Sequence, residues 1–196
     1  DNLTRIEAAN ILNRGGSIEG DTTYLKTTED IINQSGRIAG STVLLDAGRD
    51  IKNETLSTTF QGKNFSTTLT GPVGTIEATG NLTALAGRDI TLTGAKVSAG
   101  QDLRLQAGRN LEVNTVEQHT FSGETGRNFF RNQETTTHLQ SSIQAGGNAT
   151  LVAQNDLTLR GAQVTAQNDL TALAGGNLTV TAVKDRVTTE EKRGNH

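Results

Sequence analysis

The sequence predicts an all-β chain wound as a right-handed parallel β-helix, with 20–21 residues per coil. Three observations predict it. Apolar residues open successive coils at Ile11, Ile31, Ile51, Ile90, Leu111, Leu157 and Leu178, and every uninterrupted step between them is 20 or 21 residues. Within a step, apolar and polar residues alternate in short runs bounded by Gly, Asn and Asp, the pattern of strands with one buried face. Hydrophobic residues make up 33% and aromatics only 3%, so Leu, Ile, Val and Ala must carry a thin, regular core.

Each coil reads as three segments. The first begins at the apolar residues just named. Seven positions later comes Ile18, Ile38, Val97 or Val164, and two positions after that a small residue, Gly20, Gly40, Ala99 or Ala166. The third segment has the form Leu-x-Leu-x-Ala-Gly. Its copies are Val43, Leu45, Ala47, Gly48; Leu103, Leu105, Ala107, Gly108; and Leu170, Ala172, Ala174, Gly175. Stacking coils about 4.8 Å apart lets each strand pair with its equivalents above and below. The residue before each new coil is Asp30, Asp50, Asp89, Asn110, Asp156 or Asn177. Stacked Asx side chains at a corner can bond the backbone of the turn. That assigns the Gly-Arg-Asp runs at 48–50 and 87–89 a structural role rather than one in cell attachment. A leucine-rich repeat has a similar period but needs a helix or convex segment, and no helical spacing is present.

Two segments break the register. The apolar residue seven after Ile51 is displaced to Ile76, an excess of 18, and that after Leu111 to Ile143, an excess of 25. Both insertions enter at the same corner, so both should leave the shaft on one side. The first places Ser57-Thr58-Thr59-Phe60 and Phe65-Ser66-Thr67-Thr68 around a four-residue turn, which predicts a hairpin with Phe60 across from Phe65. The second carries Phe121, a turn-rich stretch over 122–128, and Phe129 and Phe130, and reads as a longer hairpin. About half the positions of 76–113 and 143–180 are identical in a 67-residue frame. The expected organisation is therefore one shaft over 1–196, hairpins over about 53–75 and 114–142, and the start of a third extrusion over about 184–196.

The runs Asn81-Leu82-Thr83-Ala84-Leu85-Ala86-Gly87-Arg88-Asp89-Ile90, Ala107-Gly108-Arg109-Asn110-Leu111, and Asn168-Asp169-Leu170-Thr171-Ala172-Leu173-Ala174-Gly175-Gly176-Asn177 carry a resemblance. The chain resembles, over essentially its whole length, the haemagglutinin repeats of two-partner-secretion exoproteins. That group includes filamentous haemagglutinin and the contact-dependent growth-inhibition exoproteins. The resemblance implies a stiff, secreted fibre at the surface of a Gram-negative cell, exported through an outer-membrane transporter that acts on a region outside this segment. Such repeats serve as shaft, as adhesive surface, or as machinery delivering a C-terminal toxin across a target-cell outer membrane. Neither the Asn-Pro signature of the secretion module nor a toxin-like segment occurs, so the chain reads as internal shaft; Asp1 likewise reads as the middle of something longer.

The remaining chemistry is sparse. Zero cysteine leaves no thiol nucleophile and suits a β-helix, whose continuous ladder needs no disulfides. The net charge of −3 provides neither a basic stripe for nucleic acid nor a polybasic membrane patch. No apolar run approaches the roughly 18 residues of a membrane span, and no signal peptide opens the chain. His119 and His138 fall on opposite arms of the second hairpin, and His196 at the end; without a third ligand they read as solvated rather than as a metal site. A polysaccharide-active β-helix enzyme would need a carboxylate cluster that departs from the repeat, whereas Asp46, Asp50, Asp89, Asp156 and Asp169 obey it. The calcium-binding Gly-Gly-x-Gly-x-Asp pattern is absent. The expectation is a non-enzyme without cofactor or metal.

The aromatics depart from the repeat. All five Phe lie in the two insertions. They either pack the hairpins onto the shaft or form an exposed contact surface for a cell-surface receptor or membrane. The candidate partner-binding residues are Phe60, Phe65, Phe121, Phe129, Phe130, Arg127 and Arg131.

Overall fold

A computed structural model describes residues 2–194. His196 and the last part of the expected third extrusion lie outside the described residues. Among those residues there is no helix; the chain forms three parallel sheets of seven, seven and six strands, together with one antiparallel sheet of five. The parallel sheets are the faces of a β-helix of seven coils. Each of the first six coils contributes a strand to each face in turn, as Thr22–Thr27, Ile31–Gln34 and Arg37–Gly40 do before the next coil begins at Thr42, and the seventh contributes to two faces.

Register follows the repeat residue for residue. Ile31 pairs with Ile51, Ile51 with Ile90, Ile90 with Leu111 and Leu111 with Leu157. On the second face Ile38, Ile76, Val97 and Ile143 stack, and on the third Leu45, Ala84, Leu105 and Leu151. These side chains point inward and all are buried, so one apolar core runs the length of the shaft. The inward residues of the seventh coil, Leu170 and Leu178, are exposed because no described coil stacks on them.

Side-chain ladders fix the corners. Each Asx before a coil accepts a hydrogen bond from the backbone N–H of its equivalent in the next coil. The chain runs Asp30, Asp50, Asp89, Asn110, Asp156, Asn177, with distances of 2.9–3.1 Å. The arginine of the Gly-Arg-Asp or Gly-Arg-Asn corner adds a charged rung: Arg88 grips Asp50 and Arg109 grips Asp89, each through two nitrogens. Burial alone would raise the Asp50 carboxyl, but hydrogen bonds from Arg88 and the Asp89 N–H outweigh it and hold it below its ordinary value. The Arg109 guanidinium does the same for Asp89. The glycine of the motif answers a different demand: a Cβ on Gly87 would lie 2.1 Å from the Gly48 carbonyl oxygen one coil below. A second Asx ladder, to which the 20–21-residue repeat alone does not point, joins Asn81, Asp102, Asn148 and Asp169 at another corner.

The first three coils bury amides where later coils bury Leu or Val. Asn13 donates to Asn33 and Asn33 to Asn53, both at 2.9 Å, with Asn33 and Asn53 fully buried. Their amides also donate to the corner carbonyls of Gly16 and Gly36 and to Lys96, and among the described residues no buried side-chain polar atom lacks a partner. The residue that follows the Asn at the next corner is glycine: a Cβ on Gly36 would meet the Asn13 amide nitrogen at 2.5 Å. Where Leu92 replaces Asn, Ala95 replaces the glycine.

Whether a coil closes or opens is decided four residues after the inward residue that begins its second strand. Gly15, Ser35, Gly94 and Gly161 occupy the left-handed region there, with φ of 66°, 48°, 55° and 57°, and those coils turn directly into the next strand. Left-handed φ is costly for branched side chains. The same position holds Thr55, Thr115 and Ala182 in the third, fifth and seventh coils, and from these the chain leaves the shaft.

Candidate functional site

The excursions form one structure. Hairpin strands Ser57–Gln61 and Phe65–Thr70 pair with each other, and Val116–Gly126 with Phe129–Leu139. Phe65–Thr70 also pairs with Val116–Gly126, and Phe129–Leu139 with a terminal strand, Arg186–Arg193. All five strands make a single antiparallel sheet, so both hairpins leave on the same side of the shaft. The spacing explains why they meet. A hairpin issues from every second coil, two coils advance the shaft by about 9.6 Å, and two hydrogen-bonded strands have that same width. Each hairpin therefore arrives beside the last without a gap.

The roots are tied to the shaft. The Leu56 N–H donates to Ser35 Oγ at 2.8 Å, the Thr55 hydroxyl to the Gly94 carbonyl at 2.7 Å, and the Ser141 hydroxyl to the Asn114 carbonyl at 2.7 Å. Val116 is buried against Gly94, where a Cβ would meet its Cγ2 at 2.6 Å. At the far ends both hairpins share a tip, Gly62-Lys63-Asn64-Phe65 and Gly126-Arg127-Asn128-Phe129. The Phe65 ring covers Gly62 and the Phe129 ring covers Gly126, so closely that a Cβ would overlap the ring. The tips also bond to the neighbouring strand, through Gly123 N–H to the Asn64 carbonyl and Gly194 N–H to the Asn128 carbonyl.

Two register expectations need correction. Phe60 lies opposite Thr67, not Phe65, because Gly62 pairs with Phe65 and the loop is two residues shorter than expected. Residues 122–126 are strand rather than turn; Gly123 and Gly126 sit within the pairing, and only Arg127 and Asn128 form the loop.

The candidate residues divide between the two faces of the sheet. Phe60, Phe65, Phe129 and Arg131 share one face with Leu69 and Val187; Phe121 and Phe130 lie on the other with His119 and His138. Arg127 is exposed in the tip loop. Phe60, Phe65 and Phe129 are 51%, 52% and 47% exposed, and Phe121 and Phe130 are half-buried, so none of the five packs into the shaft core. The histidines each take a carboxylate: His119 contacts Glu134, and His138 Nδ1 lies 3.0 Å from Asp185. Among the described residues no cluster of three or more His, Asp or Glu is placed to hold a metal.

One sequence profile described as a haemagglutinin repeat matches residues 61–128 and 120–196, and a second matches residues 1–84. The chain belongs to the haemagglutinin-repeat family. It is a structural repeat segment of a two-partner-secretion exoprotein of the filamentous-haemagglutinin and contact-dependent growth-inhibition group. Exoproteins of this group are secreted and cell-surface associated in Gram-negative bacteria, and export requires a transporter partner. The first profile match runs from one hairpin tip to the next, so the haemagglutinin repeat is a pair of coils with its extrusion.

Similar proteins include a tRNA nuclease CdiA of Escherichia coli, 28% identical over 119 residues, or 59% of this chain and 3% of the relative. A 16S rRNA endonuclease CdiA of Enterobacter cloacae is 34% identical over 118 residues, 55% of this chain and 4% of the relative. A deoxyribonuclease CdiA of Yersinia pseudotuberculosis is 28% identical over 123 residues, 52% of this chain and 11% of the relative. The chain thus matches only a small fraction of the length of these relatives. No solved structure matches it.

Proposed function

We propose that this segment is a non-catalytic spacer whose extruded sheet carries the exoprotein's attachment to other cells. The observation behind this reading is the exposure of Phe60, Phe65 and Phe129 on one face of a sheet held off the shaft, with Arg131 beside Phe129 on that face. Exposed aromatic and Arg side chains on a firm support are the usual anchors of a protein contact. The shaft surface repeats from coil to coil and offers a partner little to distinguish one stretch from another. The ladder carboxylates Asp50, Asp89 and Asp156 are engaged by backbone N–H groups, which supports a structural role for them rather than a catalytic one.

The test replaces Phe60, Phe65 and Phe129 with Ser and measures binding to target cells or membranes, with the melting temperature as a folding control. Binding should fall while melting changes little. Unchanged binding would remove these residues from the contact surface.

A second reading is favoured by the relatives. They carry different nuclease names, for tRNA, 16S rRNA and DNA, yet share this repeat region. The shared region then serves the transfer of a toxin across a target-cell outer membrane. Placing the triple substitution in the full exoprotein separates the two: killing lost with attachment intact supports delivery, and both lost together supports attachment.

A further inference from the structure

The two edges of the extruded sheet differ. The edge strand Arg186–Arg193 carries Arg186, Glu190, Glu191, Lys192 and Arg193. The opposite edge, Ser57-Thr58-Thr59-Phe60-Gln61, has no charge, no proline and no bulge, and all five residues are exposed. Charges and proline are the usual guards against edge-to-edge pairing, and this strand has neither. Its own chain places no described strand over it, because the two preceding coils close at Gly15 and Ser35.

The hydrogen-bond phase of that edge can be read from its ends. The Gly62 N–H bonds the Phe65 carbonyl, and the Gly71 N–H bonds the Leu56 carbonyl. Pairing alternates along an antiparallel strand, so Leu56, Thr58, Phe60 and Gly62 bond inward to the hairpin. Ser57, Thr59 and Gln61 therefore direct their N–H and C=O groups outward. These three residues are symmetric about Thr59.

We infer that Ser57–Gln61 is a self-association edge, and that it pairs antiparallel with the same strand of a second copy of this chain about a two-fold axis at Thr59. In that register Thr59 faces Thr59 and Ser57 faces Gln61 of the second copy. All six outward backbone groups are satisfied at once, and no like charges meet. On the aromatic face Phe60 lies opposite Thr58 of the second copy, the same Phe–Thr pairing that it makes with Thr67 inside the hairpin. The result is a ten-stranded sheet that joins two shafts side by side.

The absence of cysteine makes the register testable. Facing residues of a hydrogen-bonded antiparallel pair have Cα atoms about 5.5 Å apart, within disulfide reach. Under mild oxidation Thr59→Cys should give a covalent dimer of twice the 20.7 kDa chain mass, while Ser57→Cys and Thr58→Cys should not. In sedimentation the unmodified chain should dimerise with rising concentration. Thr59→Lys, which leaves the inward backbone bonds of the hairpin in place, should remain monomeric with an unchanged circular dichroism spectrum. A chain that stays monomeric at high concentration overturns the inference. So do cross-linking at all three cysteine positions alike and dimerisation that survives Thr59→Lys.

Discussion

Alanine at the tight corners separates two effects that the glycines combine. Gly15 and Gly94 share a left-handed backbone, φ 66° and 55°, but differ in surroundings. A Cβ on Gly15 meets nothing within 4 Å, whereas one on Gly94 meets Val116 Cγ2 at 2.6 Å and Leu139 Cδ2 at 3.3 Å. Holding alanine in the left-handed region costs about 1–2 kcal/mol, offset by about 0.4–1 kcal/mol from restricting the unfolded chain, so Gly15→Ala should cost about 1 kcal/mol. Overpacking at Gly94 adds about 1–3 kcal/mol, for a total of about 2–4 kcal/mol. For a chain of this size that corresponds to melting shifts of about 3 °C for Gly15→Ala and about 6–12 °C for Gly94→Ala. Thermal melting followed by circular dichroism reads both, and hydrogen exchange at the fourth coil should show the second locally. The double variant Gly94→Ala/Val116→Ala should lose less than the sum of its single variants, because each substitution addresses the same overlap. Equal losses at Gly15 and Gly94, or an additive double variant, would refute the claim that the hairpin root is wedged onto the corner below it.

Asn33→Leu should destabilise the shaft by about 1–3 kcal/mol in denaturant unfolding, because the side-chain oxygen of Asn53 is left buried without its donor, while the Gly36 carbonyl keeps the Thr75 N–H; a loss below about 1 kcal/mol would show that the amide ladder contributes little. The carboxyls of Asp50 and Asp89 are held below their ordinary value when folded. Their contribution is thus present above the unfolded value of about 4 and is lost as pH falls below it through the folded values. Melting of the native chain should accordingly drop more between pH 7 and pH 3 than that of Asp50→Asn/Asp89→Asn, and parallel drops would contradict the assignment.

The shaft is legible in the sequence because its cause is local and repeated. Ile, Leu and Val at a 20–21-residue step, with Leu-x-Leu-x-Ala between Asx corners, leave one way to bury the apolar face. The buried amide ladder is not, since an amide at 13, 33 and 53 departs from the apolar alternation and only the stacking of coils brings these side chains together inside. A sequence signal for it does exist: Asn followed by Gly three residues on at 13 and 33, against Leu followed by Ala at 92 and 159. The extrusions show as lost register, yet their cause also lies in the sequence, in Thr55, Thr115 and Ala182 at a position that otherwise holds Gly or Ser. Hairpin register is obscured because Gly123 and Gly126 have the character of turn formers, whereas an aromatic ring covers Gly126 in its strand and a neighbouring strand pairs Gly123. That the hairpins share one sheet depends on a distance, the advance of two coils, which no single motif carries.

That coincidence of widths constrains how such a gene can change length. Unequal recombination between similar repeats adds or removes coils, and the shaft tolerates any whole number of them. The outer sheet does not. One supernumerary coil between hairpins would pull adjacent interior strands about 4.8 Å further apart than a hydrogen bond spans and expose a pair of new edges in the middle of the fibre. Tandem duplication or loss preserves the sheet only when it moves coils in pairs, each pair carrying its own hairpin.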